Sequence, residues 1–165
     1  MGMPEILPLG WFHTIVGICA IFAGIYEFAK YKVVSSYRRS GQIFMVCTFV
    51  AAVTALMIFQ RGEFGPAHVL AVVALLSVFG GMLIERTALF GKFQPYLQAG
   101  AYTLMMLTHM LPAITDGLMR LPVGDPVVTN FEDPLLQGFI RSFLLLYVAG
   151  VLLQWWWLSK QSDQV

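Results

Sequence analysis

Three histidines are the residues in this chain whose type and placement point to chemistry. His13, His68 and His109 each lie in, or at the edge of, a different apolar run. Ionisable groups at membrane depth are costly, so they face the interior of a bundle and often mark function. Neutral imidazoles from three helices suit zinc, copper or iron, and two facing ones suit haem. Asp116 and Glu63 are acidic neighbours for such a site, and Met105 beside His109 is a soft ligand that would favour copper(I). The same residues also fit a plainer role, in which each histidine hydrogen-bonds between helices and each methionine fills a gap. No HExxH, CxxC or His pair at i, i+4 accompanies them.

The elements that must position these side chains are membrane helices. The chain has 165 residues, 58% hydrophobic and 12% charged. Soluble domains carry about 25% charged residues, so a water-soluble sphere of this size would lack polar cover. A bilayer core about 30 Å thick takes roughly 20 apolar residues as a helix. Five stretches qualify, at residues 9–29, 42–59, 67–84, 96–119 and 135–158. The expected fold is all-α, a polytopic membrane bundle of five transmembrane helices, and residues 1–165 form one domain. None of the runs alternates as a barrel strand would. A net charge of +1 with no basic tract offers nothing to nucleic acid. Cys19 and Cys47, inside apolar runs, form no CxxC pair and no disulfide framework.

Basic residues set the expected orientation. Lys30, Lys32, Arg38, Arg39, Arg86, Lys92 and Lys160 fall on one side, against Arg61, Arg120 and Arg141 on the other. This asymmetry puts the N-terminus outside and the C-terminus in the cytoplasm. Trp155, Trp156 and Trp157 then sit at the inner interface. The first run has no basic residue before it and no A-x-A-like site after it, so it reads as a retained helix. With this orientation all three histidines come toward the outer face. His109, roughly 13 residues into an outward-running helix, lies about 20 Å up.

Helical spacing adds direction. Gly10, His13, Gly17, Ala20, Gly24 and Glu27 share one stripe, whose small residues invite close packing by another helix. Tyr102, Met105, His109, Pro112 and Asp116 form a second stripe. His68 follows Gly65-Pro66, a helix entry whose dipole keeps an imidazole neutral. Glu27 reads as a local partner of Lys30, and Arg141 as a partner of Asp116 or of headgroups.

The string from His13 through Gly17 and Gly24, then Tyr37-Arg38-Arg39-Ser40-Gly41-Gln42-Ile43-Phe44 and Phe64-Gly65-Pro66-Ala67-His68, resembles the small bacterial membrane proteins of the domain-of-unknown-function 2306 family. The resemblance covers about residues 11–122. Family members commonly carry His-Arg where this chain has Tyr37-Arg38. It implies a multi-pass protein of the bacterial inner membrane and brings no established activity with it.

Three functions remain open on these residues. One is a metal- or haem-binding protein that handles electrons or metal ions at the outer face. The second is a non-catalytic accessory or assembly subunit, joined to other membrane subunits or to copies of itself. The third, a small proton-coupled transporter using Glu27, Asp116 or a histidine, lacks an inverted repeat and paired broken helices. No catalytic residue stands out, and the sequence leaves open whether the protein is an enzyme.

Overall fold

The computed structural model describes residues 7–59, 64–87 and 89–162. It is helical throughout, with no strand among the described residues. The order is α1 (Pro8–Tyr31), α2 (Arg39–Leu56), α3 (Pro66–Arg86), a short 3-10 turn (Gly91–Phe93), α4 (Gln94–Arg120) and α5 (Pro134–Ser162). Proline opens α1, α3 and α4 within the first two helical positions, where its missing N–H costs nothing.

Consecutive helices pack as antiparallel neighbours, and α1 closes lightly on α4. Helices α1 to α4 thus form a four-membered ring, with α5 laid on the outer side of α4. A buried cluster of Ala20, Phe44, Met45, Val78, Tyr102 and Met105 fills the ring. A second cluster of alanines, Ala52, Ala71 and Ala74, lets α2 and α3 approach closely further along. Gly81 sets another close approach. A Cβ there would lie 2.4 Å from Cε1 of Tyr102, so α3 meets the α4 tyrosine without a side chain between them.

Among the described residues, α1, α2, α3 and α5 are long and apolar enough to cross a membrane. Helix α4, expected as a fifth span, has the length but carries Gln94, Gln98, Thr103, Thr108, His109 and Asp116. It packs against α3 and α5 and more lightly against α1. Outside the ring, Ile15, Phe22, Val46, Leu76, Leu145 and Leu153 are exposed. Apolar surface of this extent on helices of spanning length belongs to a multi-pass membrane protein, since soluble monomers rarely expose it.

Lys30, Lys32, Arg38, Arg39, Arg86, Lys92 and Lys160 fall toward one end of the bundle. Arg38 reaches Glu27, Ser35 reaches Glu85, Gln98 donates to the Val34 carbonyl, and Gln154 donates to the Lys32 carbonyl. These bonds bring the α1–α2 loop, the end of α3, the start of α4 and the end of α5 together.

Candidate functional site

At the opposite end from the basic cluster, α2 presents two threonines that each receive a histidine. His13 on α1 places Nδ1 3.0 Å from the Ala51 carbonyl oxygen and 3.1 Å from Thr54 Oγ1. His109 on α4 places Nε2 2.9 Å from Thr48 Oγ1. Which ring nitrogen carries the proton follows from the partners. A carbonyl only accepts, so neutral His13 is protonated on Nδ1. The Thr48 hydroxyl spends its hydrogen on the Phe44 carbonyl at 2.8 Å, so it accepts from His109, which is protonated on Nε2. His13 Nε2 and His109 Nδ1 are left as bare lone pairs.

His109 Nδ1 faces α1. A Cβ at Gly17, one turn along α1 from His13, would lie 3.9 Å from His109 Nδ1. The Asp116 side chain is 59% exposed and sits 3.7 Å from Arg120, one turn on, so its expected partner Arg141 is replaced by a nearer one. The replacement is local geometry, since i and i+4 share a helix face.

His68 is built differently. Its Nδ1 accepts from the Gly65 N–H at 3.0 Å, capping α3. Its ring is stacked between Phe59 and Phe64, with centroids at 4.5 and 5.0 Å. The neutral ring must then carry its proton on Nε2, which is buried without a partner. Ligating a metal would require giving up the cap. The expected three-histidine centre is accordingly not preformed, and no group of three His, Cys, Asp or Glu able to hold a metal ion exists among the described residues. Depth along the membrane normal is shared by residues on different helices whose rings face different neighbours. Met105 is fully buried in the apolar cluster with Phe44 and Tyr102, a packing position. Glu63 lies outside the described residues.

The sequence reading missed a second polar site, at the basic end. Glu27 is 0% exposed and is held by Arg38, with Nη2 at 2.5 Å and Nε at 2.9 Å from Oε2. Ser40 donates to the other oxygen, and the Val33 carbonyl accepts from the same guanidinium. Lys30, the expected partner of Glu27, instead donates to Tyr26 at 2.7 Å. Glu85 gathers the Ser35 hydroxyl at 2.5 Å, the Ser36 N–H at 2.8 Å, Gln98 at 3.1 Å and the Tyr102 hydroxyl at 2.8 Å. Two carboxylates thus clamp the α1–α2 loop into the ring. A signal was present, because Glu27 shares the stripe of Ala20 and Gly24. A carboxylate on a buried stripe needs a cation, and the nearest loop holds four.

No protein-family model, curated protein or solved structure matches the chain.

Proposed function

We propose that this is a multi-pass protein of the bacterial inner membrane that binds a transition-metal ion through His13 and His109 in the outer half of its bundle. All five helices cross, with the N-terminus outside and the C-terminus in the cytoplasm, the orientation that the cations at one end favour. The observation that carries the metal reading is the pair of bare lone pairs, His13 Nε2 and His109 Nδ1, on rings whose other nitrogens are anchored to α2, the second facing α1 at Gly17, one turn from His13. Anchoring the far nitrogen is how a ligating imidazole is held in one tautomer and orientation. Two imidazoles suit zinc, copper(II) or iron(II), with the other coordination positions left to water or a substrate. Thioether ligation of copper(I) finds no support with Met105 in the apolar core, and haem fits poorly where His109 Nδ1 packs against Gly17. The chemistry available is handling of the ion or of an electron at the outer face.

The test is titration of the purified, chelator-stripped protein with zinc and copper(II), followed by elemental analysis after desalting. About one ion per chain is expected, lost in His13→Phe and in His109→Phe and kept in His68→Phe. Equal retention in all four proteins would remove the reading.

A second reading, an accessory subunit, draws on α5. This helix packs mainly on α4 and leaves Leu145, Leu146, Leu152, Leu153 and Trp156 uncovered. Crosslinking from α5 to a second chain in native membranes would favour it.

A further inference from the structure

At the basic end, the 3-10 turn and the start of α4 stand off from the last turns of α5 and leave an open groove of about 1100 Å³. Phe90, Phe93, Leu97, Trp155 and Leu158 form its wall, and Lys92 lies on its rim. Its floor is fixed, because the Trp155 indole N–H donates to the Tyr96 carbonyl at 2.9 Å and the two rings meet edge to face at 6.0 Å. Lys92 Nζ sits 5.4 Å from the centre of the Phe93 ring, so the cation adjoins the apolar trough.

The charge around this groove is one-sided for a structural reason. Glu27 and Glu85, the carboxylates of this end, are turned inward and spent on the α1–α2 loop. Among the described residues, the charged groups this end exposes are cations: Lys30, Lys32, Arg39, Arg86, Lys92 and Lys160. Among the described residues, no carboxylate lines the groove. An apolar trough beside a cation, at the membrane-interface end of a helical bundle, matches an amphiphile with an acyl chain and an anionic head. Basic pockets between membrane helices on the cytoplasmic side take lipid headgroups of this kind.

We infer that this groove is a binding site for an anionic phospholipid of the surrounding bilayer, its acyl chain along Phe93, Leu97 and Trp155 and its phosphate at Lys92. The site is independent of the histidine pair. The lipid would tie the α3–α4 turn to α5, the helix with the fewest neighbours in the bundle.

Native mass spectrometry of the full chain tests this, after exchange into detergent containing equal amounts of phosphatidylglycerol and phosphatidylcholine with identical acyl chains. The wild-type protein retains phosphatidylglycerol preferentially. Lys92→Gln reduces that preference about fivefold, the weight of one basic residue at a membrane surface, while Lys92→Arg keeps it. Lys92 is exposed, so these variants leave the packed ring untouched. Phe93→Ser lowers retention of both lipids. Equal retention of the two lipids by the wild-type protein, or an unchanged preference in Lys92→Gln, overturns the site.

Discussion

Replacing Arg38 by methionine strands the Glu27 carboxylate in the protein interior. Glu27 is 0% exposed, and three of its four donor contacts come from that guanidinium, the fourth from Ser40. Removing one partner of a buried ion pair costs about 3–5 kcal/mol, because the remaining charge is neither hydrated nor paired. The Arg38 side chain is itself 31% exposed and Ser40 stays in place, so the low end, about 3 kcal/mol, applies here. For a chain of this size that corresponds to roughly 6–12 °C in the apparent unfolding midpoint. Removing both charges, in Glu27→Met with Arg38→Met, should recover at least half of the loss, since the stranded carboxylate is gone. Thermal unfolding in a mild detergent, followed by intrinsic tryptophan fluorescence, reads all three proteins on one scale. Arg39→Met is the control, an exposed arginine on the next residue. If Arg38→Met falls no lower than Arg39→Met, or if the double variant is worse than the single, the pair does not hold the loop.

The remaining expectations are sharper in kind than in size. Gly24→Ala should destabilise and Gly17→Ala should not, because a Cβ at Gly24 lies 2.6 Å from Met106 Cε and 3.1 Å from the Phe44 ring, against 3.9 Å at Gly17. Overpacking of this sort costs about 1–3 kcal/mol, visible in the same melts. Gly81→Ala should cost at least as much, since the ring it meets is held by Glu85. For topology, a C-terminal alkaline phosphatase fusion should be inactive and a cytoplasmic fluorescent fusion bright; the reverse result would invert the bundle.

The helices were readable because each is an apolar run nearly free of charge. The ends were less so. Helix α2 begins at Arg39, three residues before the apolar run expected from residue 42, and stops at Leu56 although Met57, Ile58 and Phe59 continue the hydropathy. In its first turn the preceding loop folds back tightly, and a Cβ on Gly41 would lie 2.0 Å from the Ser35 carbonyl oxygen. Hydropathy alone has no term for such a contact. The inward stripe of α1 was legible from spacing, and Ala20, Gly24 and Glu27 are buried along it. His13 and His109 both reach α2 because both lie on such stripes. His68 carried only a depth argument, and depth leaves the direction of a side chain undefined. The Glu27–Arg38 pair spans 11 residues and a turn of the chain, beyond the i, i+4 rule that pointed to Lys30.

The central claim is that His13 and His109 ligate one metal ion together. Electron paramagnetic resonance of the copper(II)-loaded protein tests it most directly, because nitrogen superhyperfine splitting counts coordinated imidazoles. The account predicts a two-nitrogen pattern that drops to one nitrogen in His13→Phe and in His109→Phe and is unchanged in His68→Phe. A wild-type spectrum that persists in the His13→Phe, His109→Phe double variant would contradict it.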